Sequence, residues 1–594
     1  MGMMPARPGT GYRTNDLLLQ RHSAAYVLPH ETMRYACWIL VVLPLVALSN
    51  PAAAQCDGKI VSGVSIVAHD PSFIRFPRSL RTVARTVGLH HTTTRADVIR
   101  NFLLLSVGQP CTERLRAESE RILRFQPFLA DATVRAVSDT VGGVRIEVET
   151  IDEIPTVFSL RVRKGRPAAL RIGNGNVDGR GIYLAVRAER GFAYRNGVGM
   201  QLVAYQVFDR PYTLGLTADR TPLGSTVSVA LGHVFITDLQ RTGWHIGFRD
   251  VHDYTSFLRP DGQGIALGAR RRFGDYGGVV RIGLAGRSAF VGGLVTHELV
   301  KPVAQAVIVS DSGFVADTSA PLARPFAPVH NMRLNAVVGV RSLAFRTVRG
   351  FDALAGAQDI ATGVQFGAVL GRSVPWFGAV DNDIFLSGDF YAGLGSATSF
   401  AALRIEGEAR HDQNRDRWDS MIASGRLALY VKPSSAYVFI GSGEFSGARD
   451  ERFPFQLRLG SREGGVRGYN GSRIAGGVRA VARFEARRSI GQVTRHVALG
   501  LATFADAGRM WAGDAPFGVD SRVKGGLGVG LLAAIPPQSR QLWRLDVAAP
   551  VSADAYARWE VRLTVTRARD FWREPSDVAR ARAGAAPSTI FTWP

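Results

Sequence analysis

The residues of this chain that could do chemistry do not form a recognisable enzyme site. The sequence contains no G-x-S-x-G nucleophile elbow, no zinc motif and no Cys/His cluster with metal-ligand spacing. One loop stands out instead: "GGVRGYNGS" (464–472) sets an arginine and a tyrosine among glycines and an asparagine. A guanidinium can bind a carboxylate through two parallel hydrogen bonds, whereas a plain turn needs no such group. We predict no enzyme, no cofactor and no metal site. The loop leaves open what Arg467 binds, if it is not simply a solvated loop arginine.

Charge and length narrow the class of protein. The chain has 594 residues, which suffice for several ordinary domains or for one small and one very large domain. Its 72 Lys+Arg against 50 Asp+Glu give a net charge of +22, but the arginines are scattered singly. Nucleic-acid-binding proteins concentrate such charge with interleaved aromatic residues. The pattern therefore favours an anionic lipid or lipopolysaccharide surface as the partner and predicts no binding of nucleic acid.

The segment "MRYACWILVVLPLVALSNPAAAQ" predicts export. A basic residue, an apolar run and small residues before Gln55 match a secretory signal peptide at 33–54. A membrane anchor is the alternative, but the apolar run falls short of the ~20 residues that span a bilayer as a helix. Residues 1–32 precede this signal, so we interpret Met33 as the true start.

Two cysteines remain after removal of the signal, Cys56 and Cys111. An oxidising compartment allows such a pair to form a disulfide, although two unpaired thiols remain the alternative.

Residues 55–154 are predicted to form a small α/β domain. The segment "KIVSGVSIVAH" is typical of a strand, "TRADVIRNFLLL" and "TERLRAESERILRF" of helices, and "DATVRAV" and "GGVRIEVET" of two further strands. Thr94 and Asp97 indicate a weak helix cap. The order is therefore β-α-α-β-β.

After about residue 156 the helical periodicity disappears. Roughly sixteen to twenty segments of about eight to twelve residues follow, in which apolar and polar positions alternate between glycines and turn residues. In "RWEVRLTVT" (558–566) and "LWRLDVAAP" (542–550), charged and apolar residues take opposite parities. A soluble β-sandwich also alternates, but more than 400 residues exceed the usual size of one such domain. A closed membrane barrel, which satisfies every backbone hydrogen bond in lipid, is favoured.

Four short motifs carry a resemblance to a known family. They are "GGVRGYN" (464–470), "RFEARRSI" (483–490), "FADAG" (504–508) and "LWRLDVAAP" (542–550). In order and spacing they resemble the outer-membrane assembly superfamily of BamA and TamA, to which two-partner secretion transporters also belong. The N-terminal unit resembles a POTRA domain in "GQPCTERLRAESERIL" and "VETIDEIPTVFSL". The resemblance covers about residues 59–572.

This resemblance implies a mainly β fold: a sixteen-stranded transmembrane barrel at 155–572, preceded by one small α/β POTRA domain in the periplasm. The loop motif, made of Val466, Arg467, Gly468 and Tyr469, would fold into the lumen. Arg467 would then pair with Asp506 of the motif that also contains Phe504 and Gly508, with Glu485 as a second acidic neighbour.

The alternation itself supports this placement. Asp506 is in phase with Ala502 and out of phase with Leu501, and Glu485 is in phase with Arg483 and out of phase with Phe484. Both carboxylates therefore face the lumen if the apolar residues face lipid.

Two features depart from the family. The chain has room for a single POTRA domain, and the tail "REPSDVARARAGAAPSTIFTWP" follows the last strand, where we expect a disordered segment at 573–594.

The favoured function is therefore the insertion or secretion of unfolded exported polypeptides at the bacterial outer membrane. These polypeptides would bind to a sheet edge of the POTRA domain, where a periplasmic partner is a further possible ligand. The alternative is a structural or passive channel with no client protein.

Overall fold

The computed structural model describes residues 56, 58–71, 92–140, 142–163, 166–192, 195–221, 223–259, 264–303, 305–310, 313–317, 326–453, 455–552, 558–567 and 570–582. The predicted start region (1–32) and signal peptide (33–54) lie outside the described residues.

The N-terminal domain contains three strands and two helices. The strands are β1 (Val61–His69), β2 (Leu129–Ser138) and β3 (Val144–Asp152), and the helices are α1 (Ala96–Arg100) and α2 (Glu113–Phe125). The sheet order is β1-β3-β2, with β1 parallel and β2 antiparallel to β3. The elements follow the predicted β-α-α-β-β order.

The helix caps differ in part from the prediction. Thr112 caps α2, because its hydroxyl accepts a 3.3 Å hydrogen bond from the Leu115 N–H. Thr94 does not cap α1: its hydroxyl and its backbone N–H donate to the Asp152 carboxyl at 2.8 and 2.7 Å. The predicted capping role was wrong, because Thr94 fixes the chain to the end of β3 instead.

A disulfide joins Cys56 to Cys111, with the two Cα atoms 5.1 Å apart. Both cysteines are buried in the core of the N-terminal domain beside Val61 and Ile122. The bond ties the chain before β1 to the residue that precedes the cap of α2.

Removal of this disulfide is expected to destabilise the N-terminal domain. The bond closes a loop over a sequence separation of 55 residues, for which the chain-entropy treatment gives about 4 kcal/mol. Cys56→Ser with Cys111→Ser should therefore lower the urea midpoint of the helical circular-dichroism signal. An unchanged midpoint under oxidising conditions would show that the bond does not form.

Most of the chain builds one large antiparallel sheet with its strands in sequence order. Its strands are β4 (Thr156–Arg163), β5 (Arg166–Asn174), β6 (Ile182–Phe192), β7 (Arg195–Ala204), β8 (Thr213–Arg220), β9 (Ser225–His233), β10 (Thr242–Leu258), β11 (Gly264–Leu284), β12 (Arg287–Pro302), β13 (Val307–Ser310), β14 (Gly313–Ala316), β15 (Val329–Arg349), β16 (Ala357–Ser373), β17 (Asp383–Gly395), β18 (Ser399–Asp412), β19 (Arg417–Val431) and β20 (Tyr437–Arg449). After a small two-stranded ladder, β21 (Leu457–Arg458) with β22 (Ala475–Gly476), the sheet continues with β23 (Val478–Thr494), β24 (Val497–Trp511), β25 (Lys524–Ala534), β26 (Gln541–Pro550) and β27 (Glu560–Arg567).

The sheet has more strands than the sixteen that the family resemblance implied. Within the described ranges it contains twenty long strands, and the short β13 and β14 form an added hairpin beside β11. The figure of sixteen was wrong, because the described sheet has four more long strands. Its first six strands, β4 to β9, form three hairpins of 8–11-residue strands.

The two faces of the sheet are inverted relative to a soluble protein. Along β15, Arg333, Asn335 and Arg341 are buried, whereas Leu334, Val338 and Val340 are about half exposed. In β26 the charged residues Arg544 and Asp546 are buried, together with Leu542 and Ala548, whereas Leu545 and Val547 are exposed. We call these the charged face and the apolar face. Burying arginine while exposing valine is costly in water and favourable in lipid.

The segment 570–582 lies on the charged face and contains a short helix, α3 (Ser576–Ala579). Val578 is fully buried there, and Asp577 accepts a 2.8 Å hydrogen bond from Arg479 of β23. The prediction of a disordered tail was wrong for residues 573–582, and residues 583–594 lie outside the described ranges.

The N-terminal domain is docked against one end of the large sheet. Arg124 of α2 binds Asp359 of β16 at 2.6 Å, and Glu153 lies with both carboxyl oxygens 2.8 Å from the hydroxyl of Ser539, in the β25–β26 turn. Within the described residues, no helix is long and apolar enough to cross a membrane.

Docking is expected to weaken as the pH rises. Burial raises the pKa of Glu153 from 4.5 to about 7, against the opposing hydrogen bond from Ser539. While the N-terminal domain is docked, Glu153 keeps a proton that it loses near pH 4.5 in the undocked state. The stability of the docked state therefore falls as the pH rises from 4.5 to about 7. Glu153→Gln mimics the protonated acid, so it should match the wild type at low pH and be more stable at pH 8. The unfolding midpoint at both pH values measures this, with the half-exposed Glu147→Gln as a control; equal midpoints for Glu153→Gln and the wild type at pH 8 would contradict it.

Candidate functional site

The arginine loop (464–472) lies between β20 and β23 and folds back onto the charged face. The β21–β22 ladder closes its base, and residues 465–469 are all buried. The backbone also holds the loop, because the Val466 N–H donates to the Leu459 carbonyl at 2.8 Å and the Ser472 N–H donates to the Tyr469 carbonyl at 2.9 Å.

Arg467 binds Asp506 through three hydrogen bonds. Its Nε and Nη2 donate to the two carboxylate oxygens at 2.8 and 2.7 Å, and its backbone N–H donates to Oδ2 at 3.0 Å. Arg467 is 8% exposed and Asp506 is 3% exposed, so both charges are almost completely removed from solvent. A bidentate, desolvated pair of this kind is much stronger than a surface ion pair.

A second set of contacts surrounds the same guanidinium. Its Nη1 donates to Glu485 at 3.3 Å, and its Cζ lies 3.5 Å from the ring centroid of Phe504. Glu485 is shared, because Arg544 binds it through two 2.9 Å hydrogen bonds. Arg467 and Arg544 therefore lie among three carboxylates, those of Glu485 in β23, Asp506 in β24 and Asp546 in β26.

Two glycines explain why the loop fits so closely. A Cβ on Gly508 would lie 2.5 Å from a methyl group of Val466, so the glycine in β24 leaves the room that Val466 occupies. Gly468 has a φ of +93°, and a Cβ there would approach the Ala549 backbone at 3.1 Å. A larger residue at 508 would displace Val466, and one at 468 would be strained by the positive φ and crowded against the Ala549 backbone.

The rest of the motif anchors the loop to the end of the sheet. Val466 and Tyr469 are fully buried in one apolar cluster, and the Tyr469 hydroxyl lies 2.6 Å from that of Ser552. The Gly468 N–H donates to Glu560 of β27 at 2.8 Å. The loop therefore contacts both β24 and β27, the last strand of the sheet.

The structure brings together all the residues that the sequence proposed around the loop. Val466, Arg467, Gly468 and Tyr469 contact this site, as do Glu485, Phe504, Asp506 and Gly508. Sequence analysis missed Arg544, Asp546, Glu560 and Ser552 as partners. The alternation of polar and apolar residues along β26 and β27 already placed Arg544, Asp546 and Glu560 on the charged face. Alternation alone does not show which loop contacts them.

This arrangement holds the loop in place, because carboxylates and the Phe504 ring surround the Arg467 guanidinium. In the part of the chain that the structure describes, no group of His, Cys, Asp and Glu could hold a metal ion.

No protein-family model and no curated protein matches this chain. Solved structures similar to it include BamA from Haemophilus ducreyi lacking POTRA domains 1–3, with 12% identity, a TM-score of 0.36, and coverage of 85% of this chain and 83% of that one. CdiB from Acinetobacter baumannii is 10% identical, with a TM-score of 0.36 and coverage of 86% and 74%. CdiB from Escherichia coli is 11% identical, with a TM-score of 0.33 and coverage of 88% and 92%.

Proposed function

We propose that this protein is an outer-membrane β-barrel of the assembly and secretion type, which inserts or exports unfolded polypeptides and uses the arginine loop to hold its interior closed. The observation that carries this proposal is the inversion of the sheet, whose buried face is charged and whose exposed face is apolar. Such a sheet is stable only with lipid on one side and a polar interior on the other.

Closure of the sheet into a barrel follows from the same reasoning. An open sheet in lipid would leave unpaired backbone groups at both edges, at a cost of several kcal/mol for each group. The strand order, in which β4 follows β27, supports this closure. β4 and β27 have eight residues each, the smallest length among the twenty long strands and one that β8 shares, so this seam joins two of the three shortest strands.

The N-terminal domain is proposed to act as a POTRA domain that receives the client. It has a three-stranded sheet with β1 and β2 at its edges, and α2 packs on β2. An unfolded chain can add to such an edge through backbone hydrogen bonds, which require no particular sequence. The contacts of Arg124 with Asp359 and of Glu153 with Ser539 support a position of this domain at one mouth of the proposed barrel.

A passive channel is the competing function. An open pore needs a clear interior, yet the arginine loop and the segment 570–582 both occupy the charged face. The structure therefore favours a gated protein over a pore that is permanently open.

Deletion of the gene in its bacterium tests the proposal. We expect specific outer-membrane or secreted proteins to be lost, and to return when wild-type protein, but not Arg467→Ala, is supplied at the same level. An unchanged envelope and secreted proteome, together with steady conductance of the purified protein, would support the passive channel instead.

A further inference from the structure

The C-terminal segment (570–582) follows the last strand and turns back along the charged face instead of leaving the sheet. Trp572 packs edge-on against Tyr391 of β17, with ring centroids 6.0 Å apart. The Trp572 carbonyl accepts hydrogen bonds from Arg404 of β18 at 2.9 Å and from Arg426 of β19 at 3.1 Å. Two arginines from adjacent strands therefore fix the start of the segment.

Acidic side chains hold the middle of the segment. Glu574 accepts a 2.8 Å hydrogen bond from the Ser424 hydroxyl of β19 and binds Arg582 within the segment itself. Asp577 pairs with Arg479 of β23 at 2.8 Å, and the side chain of Arg479 is only 2% exposed. Charge-assisted contacts of this kind are specific in geometry and sign.

An apolar contact joins the segment to the arginine loop. Val578 and Ala581 are buried in the same cluster as Val466 and Tyr469. The C-terminal segment therefore shares one buried apolar cluster with the arginine loop.

The sheet curves around the segment. Arg271 of β11 donates to the Arg582 carbonyl at 2.8 Å, while Arg479 of β23 binds Asp577. In a flat sheet, eight strand spacings would separate β11 from β23, which is roughly 38 Å at the usual spacing. Both strands nevertheless reach the same short segment, so it lies across the enclosed space.

We propose that the charged face carries a peptide-binding groove lined by Arg404, Arg426 and Arg479, and that the C-terminal segment occupies it as a removable plug. The groove fits an aromatic-acidic peptide, since it takes up one aromatic ring, two peptide carboxylates and one backbone carbonyl. The blocking role rests on the proposed barrel, whereas peptide binding does not. A second peptide of the same chemistry would compete with the plug and open the interior.

Truncation after Arg567 tests the block. In planar bilayers the truncated protein should show a several-fold higher mean conductance than the full chain. The matched control is truncation after Arg582, which keeps the plug and should conduct like the full chain. Equal conductance of the full chain and both truncated forms would overturn the plug.

Peptide binding is tested without any client. A fluorescent peptide of residues 570–582 should bind the protein truncated after Arg567 and lower its conductance. The same peptide with Glu574→Lys and Asp577→Lys should bind at least about tenfold more weakly, because it loses charge-assisted contacts. Absence of binding, or equal binding of both peptides, would contradict the groove.

A charge swap between Asp577 and Arg479 tests the plug in the full chain, so the test does not depend on the folding of a truncated protein. Asp577→Arg in the full chain should raise the conductance, and adding Arg479→Asp should restore the block. A double variant that conducts like the single one would argue against this contact. None of these measurements uses a client, so failure of the plug and failure of the export function remain distinguishable.

Discussion

Arg467→Ala is expected to free the arginine loop and abolish client handling while leaving the sheet folded. Removing one partner of a buried pair leaves the other charge uncompensated, at a cost of about 3 kcal/mol to the docked loop. Asp506→Ala should cost a similar amount, and the double variant should be no worse than either single one. The coupling free energy between Arg467 and Asp506 is therefore about 3 kcal/mol. This value exceeds that of a solvent-exposed ion pair, because the structure buries both charges.

Protease accessibility of the loop measures this cycle, alongside complementation of the gene deletion. Arg473→Ala is the matched control, since it removes the exposed arginine that directly follows the loop. Arg467→Lys keeps the charge but loses the planar fork, so it should restore docking only in part. Strictly additive effects of Arg467→Ala and Asp506→Ala would show that the two residues do not act together.

Val338→Arg is expected to destabilise the protein in a bilayer by about 2–4 kcal/mol, the cost of an arginine near the midplane of a lipid-facing strand. Val338 lies at the middle of β15 on the apolar face and is 47% exposed. In a soluble β-sandwich the same change on an exposed strand would cost little.

Leu284→Arg provides the matched comparison. Leu284 is 80% exposed and ends β11, where an arginine can reach the headgroups at a cost of about 0–1 kcal/mol. Reversible unfolding by urea in lipid vesicles gives both values. Equal, small effects at the two positions would exclude lipid contact at Val338.

The alternation of residue types was sufficient to place the faces of the sheet. It put Glu485 and Asp506 on the charged face before any contact was known, because a period of two permits no other assignment once the apolar side is fixed. The partner of Arg467 came from the family motif, and the structure adds the reason for its glycine: Gly508 leaves room for Val466.

Residue alternation could not predict the number of strands or the ordered structure of the C-terminal segment. The periodicity allowed sixteen to twenty strands, and the resemblance selected the lower end, whereas the described sheet has twenty long strands. The composition of 573–594 suggested disorder because it contains few large apolar residues. The contacts of Asp577 and Val578 order this segment, and they arise only once distant strands have come together.

The central claim, that the apolar face contacts lipid, is tested most directly by spin labels on single cysteines at Val338, Val529, Leu545 and Val547 in lipid vesicles. Membrane-dissolved oxygen should relax these labels strongly, and a water-soluble nickel complex should do so weakly. A label at the exposed Val67 of the N-terminal domain should show the opposite order. If the four apolar-face labels respond to the nickel complex as strongly as the label at Val67 does, the sheet is not a membrane barrel.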